Sequence, residues 1–173
     1  MEAMPFESDA PLGSRRAIIR RNPITGIPQL ISAAWGLDGR IPGDNSRRFI
    51  RGEGKTFAHQ RCLIPMSEFQ VTNGERKFRV VLEDGNHFFF AGVWQPSSGD
   101  KDIAYAVITL QANPDVFFYQ ERHGAVLLRR QNMAWLDLTQ SEGELLVARP
   151  PRSFLVEEVG PRGLEDRQRR LAL

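Results

Sequence analysis

Few side chains in this chain have a type and spacing that could carry out chemistry. There are three histidines, His59, His87 and His123, and none falls in HExxH or another metal-binding spacing. His123 follows Glu121 and Arg122 in a polar stretch. An exposed imidazole with a pKa of about 6.5 can give or take a proton at neutral pH, so His123 reads either as a general acid–base or as a solvated loop histidine. His87 opens an apolar run and reads as structural. The single cysteine, Cys62, sits in an apolar stretch and reads as an inert core thiol. One cysteine cannot form an internal disulfide, and a CxxC-type zinc site is excluded. The chain has no GxSxG elbow, no P-loop and no GxGxxG turn. Arg51-Gly52-Glu53-Gly54-Lys55 is followed by a threonine but lacks the GxxxxGK[ST] spacing, and it is rejected as a phosphate loop.

The remaining chemistry is cationic. Of 23 basic residues, only Lys55, Lys77 and Lys101 are lysines. The planar fork of arginine suits phosphate oxygens, although a GC-rich genome would produce the same bias. Net charge is only +2, so the chain is not uniformly basic.

The elements that must hold these residues read as mostly β. Residues 17–20 and 27–37 form two strands around an Asn22-Pro23-Ile24-Thr25-Gly26 turn. Residues 38–45 read as loop, and 47–61 as an exposed, arginine-rich stretch. Residues 62–71 read as one strand, with Pro65 marking an edge or a bulge. Asn73-Gly74 is a hairpin signal, and residues 78–83 alternate as a half-buried strand does. Residues 87–94 are apolar on both faces, as a central strand would be, and 103–110 make the next strand. Asn113 caps a short helix beginning at Pro114. A short strand over 125–128, a helix over 131–138 that buries Met133 or Trp135, a helical turn over 142–147 and a strand over 153–159 follow. The meander points to an antiparallel sheet with Trp35, Trp94 and Trp135 at least partly buried.

With 41% hydrophobic and 25% charged residues, the chain has the composition of one globular domain. No apolar run nears the ~20 residues of a membrane helix. The first 13 residues are acidic and lack a secretion signal, so a cytoplasmic location is expected. The expected organisation is a lead-in over 1–13, a domain over 14–159, and a charged, partly disordered tail over 160–173.

Several segments, in order, resemble the SOS-response-associated peptidase (SRAP) family. Ile19-Arg20-Arg21-Asn22-Pro23 leading to Trp35-Gly36-Leu37 is similar to its first hairpin and WGL motif. Arg61-Cys62-Leu63-Ile64-Pro65 resembles its RCLVP strand, and Phe90-Ala91-Gly92-Val93-Trp94 its FAGLW strand. Ile108-Thr109 through Asn113 resembles an ITTxAN segment, Arg122 through Leu127 an RMPVIL stretch, and Ala134-Trp135-Leu136-Asp137 an AWLD helix. The resemblance covers residues 14–158 and implies an α+β, SRAP-like single domain: a mainly antiparallel, curved β-sheet or barrel with a few short helices.

The resemblance also implies chemistry. Family members capture abasic sites in single-stranded DNA with an N-terminal cysteine, whose amine and thiol close a thiazolidine on the sugar aldehyde. An Asn, a Glu and a His assist, and arginines hold flanking phosphates. Here position 2 is Glu2, and the assisting positions fall on Phe49, Val71 and Gln120. A shifted register would put the Asn at Asn45 and its arginine at Arg47. Glu68 and His123 are the candidate substitutes for the lost acid–base groups. Arg47, Arg51 and Arg122 are the candidate DNA contacts. Family members also carry a few tens more residues at the front, so a shortened start is a second way to account for the missing cysteine.

The implied function is sensing or binding of single-stranded DNA or abasic sites without covalent crosslinking, with no cofactor, metal or membrane partner. Two alternatives stand beside it: an active crosslinking enzyme with a rearranged or truncated site, and a noncatalytic, phage-associated interaction scaffold.

Overall fold

Local turn chemistry lays out most of the strands in the computed structural model, which describes residues 3–37, 48–96 and 102–159. Asn22 Oδ1 accepts from the Ile24 and Thr25 amides and closes the hairpin between β2 (Arg15–Arg21) and β3 (Pro28–Trp35). Asn73-Gly74 closes the hairpin of β6 (Glu68–Asn73) and β7 (Arg76–Leu82), with Gly74 at a φ of 64°. The other strands are β1 (Pro5–Phe6), β4 (Phe49–Arg51), β5 (Arg61–Met66), β8 (Phe88–Pro96), β9 (Ile103–Gln111), β10 (Arg122–Gly124), β11 (Val126–Leu127) and β12 (Phe154–Glu158). Three short helices complete the order: α1 (Pro114–Phe117), α2 (Asn132–Asp137) and α3 (Glu142–Leu145). Asn113 caps α1 as expected, its Oδ1 accepting from the Val116 amide.

The result is a strand-rich α+β fold of two curved sheets. In the larger sheet the pairings β9–β3, β3–β2, β2–β5, β5–β8 and β8–β9 return on themselves, closing a five-stranded ring. β4 and β10 add to β9, and β11 adds to β8. The smaller sheet runs β1-β6-β7-β12.

Strands β8 and β9 are apolar on both faces because each face meets a different core. Phe88, Phe90, Tyr105 and Val107 pack with Phe69, Val80 and Phe154 of the smaller sheet. The alternate residues Ala91, Val93, Ala106 and Ile108 pack under Trp135, Leu136 and Leu145 of α2 and α3. Gly92, in the FAGVW run, is required by this packing: a Cβ there would meet Ile64 Cδ1 at 2.5 Å and the Ala106 carbonyl oxygen at 2.8 Å. Trp35, Trp94 and Trp135 are all buried, and in α2 it is Trp135 and not Met133 that turns inward.

The sheets are mainly antiparallel, as expected, with parallel pairings at β1–β6, β3–β9 and β4–β9 between strands distant in sequence. Three expectations need correction. The expected single strand over 62–71 breaks at Ser67. There the Ser67 amide donates to the Met4 carbonyl, the Ser67 hydroxyl accepts from the Met4 amide, and the chain passes from one sheet to the other. The exposed stretch over 47–61 contains β4, which is drawn in by its pairing with β9. The lead-in is docked: Phe6 is buried, with its ring edge-on to Trp35 and Phe90. The loop over 38–45, with Asn45, Arg47 and the tail over 160–173, lies outside the described residues. Among the described residues no helix is long and apolar enough to cross a membrane.

Candidate functional site

The two sheets and the docked N-terminal strand enclose an open cavity of about 640 Å³. Parallel pairing with β9 sets Phe49 beside Val107 and Arg51 beside Thr109. β6 supplies Phe69, Gln70 and Val71. Gln120 comes from the turn after α1, and Arg122, His123 and Gly124 come from β10. Gly124 is a steric necessity, since a Cβ there would lie 2.5 Å from the Phe90 ring.

The wall is aromatic. Phe6, Phe69 and Phe90 are buried, and Phe69 lies 5.1 Å from Phe90 and 5.2 Å from the His123 ring. Phe49 is half-buried, held edge-on to Trp35 with ring centroids 5.4 Å apart. Val71 is fully buried opposite Phe78.

The polar part divides into committed and free groups. Arg122 Nη2 donates to the Thr109 carbonyl at 2.9 Å and to Glu53 Oε2 at 2.8 Å. Glu53 Oε1 also accepts from the Gln111 amide at 3.0 Å. The hydrogen bond from Arg122 holds the Glu53 carboxyl below its ordinary range, against a small upward push from burial. Gln120 Nε2 donates to the Arg122 carbonyl at 2.7 Å, and its Oε1 accepts from the Thr72 amide at 3.3 Å. By contrast, the side chains of Arg51, Lys55 and Gln70 line the cavity with no hydrogen bond or ion pair among the described residues.

His123 is not the free loop imidazole that could serve as an acid–base. It is buried; its Nδ1 contacts the Gly124 carbonyl oxygen at 2.7 Å, and its Nε2 faces the Asn113 amide at 3.3 Å. This geometry fits a neutral ring, with Nδ1 donating and Nε2 accepting. Burial lowers its pKa, the Gly124 carbonyl opposes that, and the Arg122 charge adds to it. Both nitrogens are engaged, Nδ1 within β10 and Nε2 with Asn113, the N-cap of α1.

Glu68 lies away from the cavity lining and forms an ion pair with Arg79 Nε at 3.7 Å. Cys62 is fully buried, and burial pushes its thiol far up, away from the reactive thiolate. The cavity therefore gathers Phe49, Arg51, Val71, Gln120, Arg122 and His123, and leaves out Glu68 and Cys62. Phe6 and Gln70 were not expected there. Phe6 lies in a segment without local pattern, and Gln70 is one polar residue in an alternating strand. Lys55 belongs to the rejected phosphate-loop look-alike, and its place at the cavity follows from Gly52, whose amide donates to the Thr109 carbonyl.

Chemically, this site can hold an anion at its mouth and an apolar or aromatic group inside. No carboxylate lines it among the described residues.

Fold and sequence together define the class. A model of the SRAP family, "SOS response associated peptidase", matches residues 54–161, well over half of the chain. The chain belongs to the SRAP family, which ties it to the DNA-damage response for which the family is named. Three solved structures share the fold. A Bacteroides thetaiotaomicron protein aligns at 17% identity over 88% of this chain and 77% of its own, with a TM-score of 0.71. A Bordetella bronchiseptica protein aligns at 19% identity over 91% of this chain and 90% of its own, with a TM-score of 0.66. A phage-related protein from the same organism aligns at 16% identity over 87% and 80%, with a TM-score of 0.64. A search of curated proteins returned no match.

Proposed function

We propose that this chain is a noncatalytic SRAP domain that binds single-stranded DNA, abasic strands included, without forming a covalent bond to it. One observation carries the reading: Arg51, Lys55 and Arg122 converge on a cavity whose other lining groups are aromatic, aliphatic, amide or hydroxyl. Three cations at one mouth suit successive phosphates. The groups that would do proton transfer are missing or occupied. Val71 and Phe49 are hydrocarbon, Gln120 does not titrate, and His123 has both nitrogens engaged. A thiazolidine needs an amine and a thiol on one residue. The one cysteine of this sequence, Cys62, is buried with its nitrogen in a peptide bond. Rearranged catalysis through Glu68 is disfavoured by its place beside Arg79.

The test is a salt titration of binding to a labelled single-stranded oligonucleotide. Affinity falls as salt rises, because phosphate contacts release counterions. Replacing Arg51 and Arg122 together with alanine weakens binding to all sequences alike and lowers the salt slope by about 2, one per lost phosphate contact. No binding at low salt, or a slope unchanged in the double variant, would sink the proposal.

A further inference from the structure

We infer that the cavity receives an intact, unpaired nucleobase of the bound strand, lying against Phe49 and hydrogen-bonded by Gln70, in preference to a sugar that has lost its base. This rests on the single-strand reading above and adds what enters the cavity. Volume is the first argument. About 640 Å³ is open between the sheets, within the roughly 300–1,000 Å³ typical of small-molecule sites. A base-less sugar would leave much of that space as water against phenylalanine, whereas a planar base covers the apolar wall.

The wall is the second argument. Phe49 is half-buried, with its ring fixed edge-on to Trp35, so a base can meet it without ordering a mobile side chain. Aromatic–base stacking is indifferent to sequence, since every base has a π-face. A polar, hydrated aldehyde or hydroxyl gains nothing from the same surface and loses its water.

The third argument is the Gln70 amide. It is half-buried, lines the cavity, and has no hydrogen-bond partner among the described residues. An amide offers two donors and an acceptor, the complement of a base edge. Arg51 and Lys55, whose side chains likewise have no partner among the described residues, line the same cavity, where the flanking phosphates would pass.

The experiment compares, by fluorescence anisotropy at low salt, an oligothymidylate and a strand of the same length in which every nucleotide is a tetrahydrofuran abasic analogue. The intact strand is expected to bind tighter by about fivefold or more, the scale of one stacked base. Phe49→Ala is expected to weaken binding of the intact strand severalfold and so to remove that difference. Equal affinities for the two strands in the wild type, or tighter binding of the abasic one, overturn the inference and leave single-strand binding standing. Binding to neither strand overturns both. If Phe49→Ala lowers binding to both strands, its fold is compromised and Gln70→Ala decides. A severalfold loss on the intact strand alone supports the inference; an equal loss on both strands, or none, overturns it.

Discussion

Glu53 holds Arg122 by an ion pair of 2.7 Å at the mouth of the cavity, although the two residues are far apart in sequence. The pair is half-exposed, so its worth to stability is small. Its importance is electrostatic: the carboxylate offsets part of the charge that Arg122 presents to a phosphate. Glu53→Gln keeps the hydrogen-bonding shape and removes the charge. The expected result is tighter single-strand binding, by roughly threefold at low salt, with the gain fading as salt rises. Anisotropy titrations at two salt concentrations check it, and weaker binding by the variant would show that Glu53 orients Arg122 more than it masks it.

Two motif residues outside the cavity lining, Arg61 and Trp135, have a structural role. Arg61 lies over the Trp135 ring at 4.1 Å, donates to the Phe57 and Trp135 carbonyls, and pairs with Glu142 at 2.8 Å, while Trp135 Nε1 donates to the Cys62 carbonyl. Its side chain is only 4% exposed, and its removal leaves the buried Trp135 carbonyl without this donor. Arg61→Met is expected to lower unfolding free energy by about 3 kcal/mol. Urea denaturation measures this, and a loss below about 1 kcal/mol would contradict the packing described.

The buried His123 makes stability depend on pH. Its folded pKa is lowered, chiefly by burial, so in the pH range below the ordinary histidine value of about 6.5 the unfolded chain binds more protons than the folded one. The stability it contributes is complete above that value and is lost as pH falls through the folded pKa. Melting temperature is expected to drop as pH falls below about 6.5 in the wild type, and His123→Asn is expected to flatten that slope. An unchanged slope in the variant would mean the imidazole is not the titrating group.

Much of the fold was legible because its signals are local. Asn22-Pro23, Asn73-Gly74 and Asn113-Pro114 specify their turns and cap within a few residues, and strand alternation marked Phe78, Val80 and Leu82. What escaped depends on distant partners. Phe6 is buried only because β6 accepts a parallel neighbour, β4 exists only because β9 does, and Ser67 breaks a strand only because Met4 meets it there. The site divides in the same way. Phe49, Val71 and Gln120 were legible through the family resemblance and fall on one cavity. Gln70 and Phe6 could not be placed there without the sheet register, and the burial that occupies His123 leaves no mark in its neighbours along the chain.

The most direct test of the account is a single incubation of the 173-residue chain with an abasic single-stranded oligonucleotide, divided between a native gel and a heated denaturing gel without reductant. A retarded band in the native gel and free oligonucleotide in the denaturing gel is the expected result: the strand is held by phosphate and cavity contacts, with no covalent bond. A heat-stable shifted band would contradict the account and require a nucleophile whose adduct survives heating without reduction, which a lysine imine does not.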